Sequence, residues 1–94
     1  MGIILSTGDI NRNYEILSTV FAIDSHQGGF FKAINPAAAF TGVNEQLKTA
    51  CKGLGGDAVI CCLFEYRNAL ADGLMGKKQA IEIFAYGTAV KFID

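Results

Sequence analysis

From Ala58 to Phe64 the chain reads A-V-I-C-C-L-F, a run with no charge and with apolar residues at both parities of a strand. Side chains on a strand alternate between the two faces of its sheet, so such a run needs cover on both sides. Yet only one segment has helical periodicity. Val43, Leu47, Ala50, Cys51 and Leu54 form an apolar stripe, with Glu45, Gln46, Lys48, Thr49 and Lys52 opposite. Asn35-Pro36 offers an N-cap with proline at the first helical position, and Gly53, Gly55 and Gly56 supply the exit. One helix covers one face of a small sheet. The other face must meet something else, and a second copy of the chain is the expected partner.

The remaining segments fill in the order. Ile3-Ile4-Leu5 reads as a short strand closed by the turn-forming Ser6-Thr7-Gly8-Asp9. Tyr14 to Asp24 is rich in β-branched residues and reads as a long strand, followed by a loop from Ser25 to Gly29. Thr41-Gly42 is a point where the helix could divide. Asp57 to Arg67 is the next strand, Asn68 to Lys78 the connection of a hairpin, and Gln79 to Ile93 its second strand. Gly87, in mid-strand, predicts a bulge or a close backbone approach. The expected fold is α+β, a single domain over residues 1–94. It is a βαββ subunit with a short extra strand in front, a small, mostly antiparallel sheet and the helix on one face.

Composition supports the need for a partner. A chain of 94 residues has a thin core and should be rich in polar surface, but 51% of these residues are hydrophobic and 18% charged. The formal net charge is −1 and Lys77-Lys78 is the largest basic cluster, so an electrostatic footprint for nucleic acid is missing. The longest uncharged stretch, Ala33 to Asn44, falls short of the roughly 20 residues that span a bilayer. Met1-Gly2-Ile3-Ile4-Leu5-Ser6 matches the loose N-myristoylation pattern but equally reads as an ordinary strand. No signal peptide is visible. Three cysteines inside apolar elements suggest reduced, buried thiols, and with them a cytoplasmic location.

Three blocks carry a family resemblance: Ile4-Leu5-Ser6-Thr7 leading to Tyr14-Glu15-Ile16, Leu54-Gly55-Gly56-Asp57-Ala58-Val59-Ile60, and Ile81 to Val90 with its A-Y-G-T-A-V close. Together they resemble the YbjQ-like proteins, labelled as heavy-metal-binding domains. The resemblance implies a βαββ subunit assembled into a ring-like homo-oligomer, with pentamers as the expected form. It also implies a possible divalent or heavy-metal ligand. Family members carry a longer helical region, and Phe30 to Gly53 is abbreviated by comparison.

Residues able to hold a metal are His26, Cys51, Cys61 and Cys62, a poor set. Zinc sites pair their ligands a few residues apart, whereas neighbours in a strand point to opposite faces unless a bulge intervenes. Cys62, His26 and Asp24 supply the residue types of a thiol triad without any spacing that joins them. The glycine-rich Gly53 to Gly56 leaves a helix and enters a strand, the reverse of a phosphate cradle. Glu65, Arg67 and Glu82 suit cross-strand ion pairs. Tyr86 could line a groove between subunits, with Ser6, Thr7, Asp9, Arg12 and Thr88 as polar handles for a small ligand. No residue is assigned a catalytic role. The expected function is that of a non-catalytic homo-oligomeric protein binding a small ligand or metal, or serving as a scaffold. The alternative is an enzyme whose site forms between subunits from Asp9, Arg12, His26 or Glu65.

Overall fold

Strand-forming sequence on either side of one helix gives the order β1 (Ile4–Leu5), β2 (Tyr14–Gln27), α1 (Pro36–Gly53), β3 (Ala58–Gly73) and β4 (Gly76–Phe92). The computed structural model describes the backbone of residues 2–27, 36–73 and 76–94, and the side chains of residues 2–24, 37–67 and 81–94. The sheet runs β1-β3-β4-β2. Strands β3 and β4 form an antiparallel hairpin, β2 lies antiparallel on the far side of β4, and β1 pairs parallel with the start of β3. The chain is therefore α+β, one helix on a mixed four-stranded sheet.

The helix is continuous through Thr41-Gly42, contrary to the division the sequence suggested. Thr41 stays helical by donating its hydroxyl to the Ala37 carbonyl one turn back, at 2.9 Å. Gly42 serves packing, since a Cβ there would run into the Asp24 carboxylate of β2. At the exit, Gly56 N–H bonds Cys51 O and Gly55 N–H bonds Lys52 O, each at 3.0 Å, with Gly55 at φ 79°. This is a Schellman cap, and only glycine takes its left-handed position without strain. The expected N-cap Asn35 lies outside the described residues. Leu54, placed by periodicity in the buried stripe, falls after the helix and is exposed.

Two expected loops are strand. Ser25, His26 and Gln27 continue β2, pairing with Glu82, Ile81 and Ala80. Residues 68–73, read with 76–78 as a connection, pair with residues 76–81 across the hairpin, up to Gly73 and Gly76. The sheet is thus far longer than the helix. The molecule extends 55 Å along its long axis, against about 27 Å for an 18-residue helix.

Ala39, Val43, Leu47 and Cys51 of α1 pack on Val20, Ala22, Val59, Cys62, Ile83, Ala85 and Ala89 of the sheet. Gln46 reaches over the rim, accepting from Ile23 N–H at 3.4 Å and donating to Ile23 O at 2.9 Å, so its amide occupies the open edge of β2 as a neighbouring strand would. On the opposite face, Ile10, Tyr14 and Phe92 cover only Ala58, Ile60 and Val90. Farther along, Phe21, Tyr86 and Leu63 stand in one cross-strand row, 78%, 40% and 52% exposed. Leu63 corrects the expectation that the whole run from Ala58 to Phe64 is buried on both faces.

The bulge or close approach predicted at Gly87 takes the form of a bulge on the neighbouring strand β3, whose backbone lies close to Gly87. The β3–β4 register shifts between Ile60 and Leu63, so Cys61 and Cys62 together oppose Gly87, a β-bulge. Cys61 sits at φ 55° with its side chain exposed. A Cβ on Gly87 would lie 2.7 Å from Val59 Cγ1, 3.0 Å from Ile60 O and 3.1 Å from Cys62 Sγ.

Candidate functional site

The turn after β1 is anchored along β3. Ser6 N–H bonds Val59 O, Cys62 N–H bonds Ser6 O and Cys61 N–H bonds Gly8 O, each at 2.9 Å. This places Ser6 and Thr7 beneath α1. There Leu5, Ser6, Thr7, Asn44, Cys62 and Phe64 line a half-open cavity of about 150 Å³. Ser6 Oγ accepts from Gly8 N–H at 3.1 Å, and Cys62 Sγ donates to Val59 O at 3.5 Å. Asn44 Oδ1 is shut off from solvent and accepts nothing, the one such side-chain oxygen or nitrogen among the described residues. Burying an acceptor without a donor costs about 1–3 kcal/mol, which the packing of α1 on the sheet must offset.

The other polar residues expected at a ligand site are not gathered here. Asp9 accepts from Tyr14 O–H at 2.8 Å and from Ile10 N–H at 2.7 Å. Arg12 bonds Asp94 Oδ1 at 3.0 Å and lies 3.9 Å over the Phe92 ring, while Asp94 Oδ2 accepts from Asn13 N–H. Arg12 latches the loop between β1 and β2 to the end of the chain, and Asp9 ties that loop to the start of β2. Tyr86 and Thr88 belong to the uncovered sheet face, Thr88 beside Thr19 and Ile60. The six residues thus form three separate groups, and only Ser6 and Thr7 line the cavity.

The Tyr14 hydroxyl and the Ile10 amide hold the Asp9 carboxyl below its ordinary pKa, and the Arg12 guanidinium with the Asn13 amide does the same for Asp94. A carboxyl lowered in the folded chain contributes stability above its unfolded pKa, and that contribution fades as pH falls through the folded value. Acidification below the usual carboxylate range is expected to release residues 9–13 ahead of the core, in proportion to protonation. Amide exchange of Asn13 and Ile93 against Leu47 as a function of pH checks this; loop and core opening together would contradict it.

The cysteines do not converge. Cys51 on α1 and Cys62 on β3 are buried, and burial pushes both thiols above their ordinary pKa. Cys61, expected to be buried, faces solvent because the bulge turns it out of the pleat. His26 lies on β2 opposite Ile81, with its side chain outside the described residues. Among the described residues no three of His, Cys, Asp and Glu come together as a metal site. A thiol-specific reagent such as DTNB is expected to label one thiol per chain rapidly in the native protein and three after denaturation. Rapid labelling of all three would contradict the burial of Cys51 and Cys62.

The sequence supplied Ser6 and Thr7 through the turn chemistry after β1. Asn44 gave only a faint signal, a residue of low helix propensity inside an otherwise regular helix. Phe21 and Leu63 gave none, because their exposure follows from which face the helix covers. No helix among the described residues is long and apolar enough to cross a membrane.

Comparison with known proteins adds the family. A crystal structure of a protein of unknown function from Pediococcus pentosaceus, of the DUF74 family, shares the fold with a TM-score of 0.72 at 21% identity. The match covers 97% of this chain and 98% of that one. None of the curated proteins compared matches the sequence. Residues 7–93 match the family described as "Putative heavy-metal-binding", and the chain belongs to that YbjQ-like family.

Proposed function

We propose that the chain is a non-catalytic homo-oligomeric binding or scaffold protein whose subunits meet across the uncovered face of the sheet. The row Phe21, Tyr86 and Leu63 carries this reading. Exposed aromatic and aliphatic side chains aligned across three strands, continued by Ile23, make a contiguous apolar surface of the kind found at subunit contacts. Arg67 and Glu82, paired at 3.1 Å, lie farther out and suit its polar rim. Five copies in a ring is the number the family resemblance implies, and the cytoplasm is the location that free cysteines favour.

An enzyme assembled between subunits has less support. It needs Asp9 and Arg12 available to a neighbour, and each is already paired within its own chain. A metal bound between copies would draw on Cys61, the exposed thiol, whereas the cavity beside Ser6 and Thr7 suits a small ligand. Native mass spectrometry of the protein as purified tests the assembly. A homo-oligomer is expected, unchanged by EDTA, and a bare monomer would overturn the reading. Extra mass that survives EDTA supports a small ligand, and mass that EDTA removes supports a shared metal.

A further inference from the structure

Strand β2 forms one border of the sheet, and its outer backbone groups face no other strand among the described residues. The Gln46 amide meets Ile23 N–H at 3.4 Å and Ile23 O at 2.9 Å, so Ile23 presents both groups outward. By the alternation of an antiparallel ladder, Thr19, Phe21, Ser25 and Gln27 present theirs the same way, with Ile23 at the centre. From Ile16 to Ile23 the strand has no charge, proline or glycine. Phe21 and Ile23 are exposed as well. An uncharged, β-prone run on an open edge is a template on which another chain adds as a strand.

The two borders of the sheet are defended differently. Along β3, beyond the stretch that β1 and its turn cover, the edge carries Glu65 and Arg67, charges of the kind that discourage strand addition. Strand β2 lacks them over its central run, and side chains of the same chain occupy its backbone instead. Ser18 Oγ donates to Thr19 O at 3.2 Å, and Gln46 fills both positions at Ile23. A carboxamide carries a donor and an acceptor side by side, as a peptide group does, so glutamine makes both bonds where glutamate or leucine cannot. Helix α1 brings it within reach because Gly42, lacking a Cβ, lets the helix sit against Asp24.

We propose that Gln46 is an edge guard: its carboxamide stands where an incoming strand would bond, and it keeps copies of the chain from joining edge to edge through β2. The ladder that an added strand needs is broken at its middle residue. Assembly is thereby directed to the uncovered face, a consequence that rests on the reading above, whereas the blocking itself acts in monomer and oligomer alike.

Gln46→Ala in the full-length chain is the test, compared with the parent by light scattering over a series of concentrations and by thioflavin T fluorescence. Gln46 is exposed and alanine is the better helix former, so the variant is expected to fold with unchanged far-ultraviolet circular dichroism. The parent should keep one size over the series, while the variant grows with concentration into larger, thioflavin-positive species. At the lowest concentration, where both have the same size, the Ile23 amide should exchange about tenfold faster in the variant, with Leu47 unchanged. Gln46→Glu, which puts a charge beside the edge, should stay the size of the parent. A Gln46→Ala protein that keeps the parent's size, growth with Ile23 exchange unchanged, or equal growth of Gln46→Glu would each overturn the guard. A monomeric parent whose Gln46→Ala variant still grows overturns the assembly reading and leaves the guard standing.

Discussion

Phe21→Glu is expected to leave the chain folded and to abolish its self-association. Phe21 is 78% exposed in the single chain, so replacing it removes little internal packing. Exposed substitutions usually fall within about 0.5 kcal/mol, to which loss of strand propensity adds up to about 1 kcal/mol. Across a subunit contact the balance is different. Truncating a central aromatic anchor costs about 2 kcal/mol or more, and a carboxylate forced into an apolar contact adds a desolvation penalty. At about 1.4 kcal/mol per factor of ten, the weakening is on the order of a thousandfold per contact. Size-exclusion chromatography with light scattering at micromolar concentration should show a monomer with unchanged far-ultraviolet circular dichroism. Leu54→Glu, at an exposed apolar residue just past α1, is the matched control and should assemble normally. If Phe21→Glu assembles like the parent, the uncovered face is not where the subunits meet.

Gly87→Ala is expected to destabilise the fold by about 3 kcal/mol, the upper end of the range for overpacking. Glycine in a strand interior is normally a weakness that alanine improves by about 0.5–1 kcal/mol, and Gly87 has no positive φ to protect. The cost comes from space. A methyl group there would meet Val59 Cγ1 at 2.7 Å, Ile60 O at 3.0 Å and Cys62 Sγ at 3.1 Å. Val59 is fully buried and stiff at χ1, and the carbonyl belongs to a paired strand, so neither gives way cheaply. Urea denaturation at fixed protein concentration reads the loss. Val59→Ala in the Gly87→Ala background should recover part of it, as a favourable coupling in a double-mutant cycle. A stabilising Gly87→Ala would show that the bulge can open to admit the methyl.

Sequence periodicity reached the elements better than their ends. Tyr14 to Asp24 and Asp57 to Arg67 declared themselves through β-branched and aromatic residues, and Gly55 declared the helix exit. Ser25, Gln27, Asn68 and Gly73 read as loop because their types favour turns, whereas strands β2, β3 and β4 carry them by pairing side by side. Local preference yields to a partner strand that no short window contains. The same limit applies to the site. Ser6 and Thr7 follow from local turn chemistry, but their meeting with Asn44 depends on how the helix crosses the sheet. The pairing of Arg12 with Asp94 spans nearly the whole sequence.

The bulge in β3 can also be understood as a reading-frame device. Val59, Cys62 and Phe64 pack under the helix while Ile60 and Leu63 face the other way, so leaving out Cys61 restores a strict two-residue alternation opposite Val90, Ala89, Thr88, Gly87, Tyr86 and Ala85. Cys61 is in effect a one-residue insertion that the strand has absorbed without exchanging its faces. Excising that residue would preserve the orientation of every neighbour. Excising Tyr66 instead would shift register with no spare residue to compensate, sending each following side chain through the sheet. Tolerance to length change in β3 is therefore concentrated at a single position, and a homologue shorter by one residue between Ala58 and Phe64 would keep the same core.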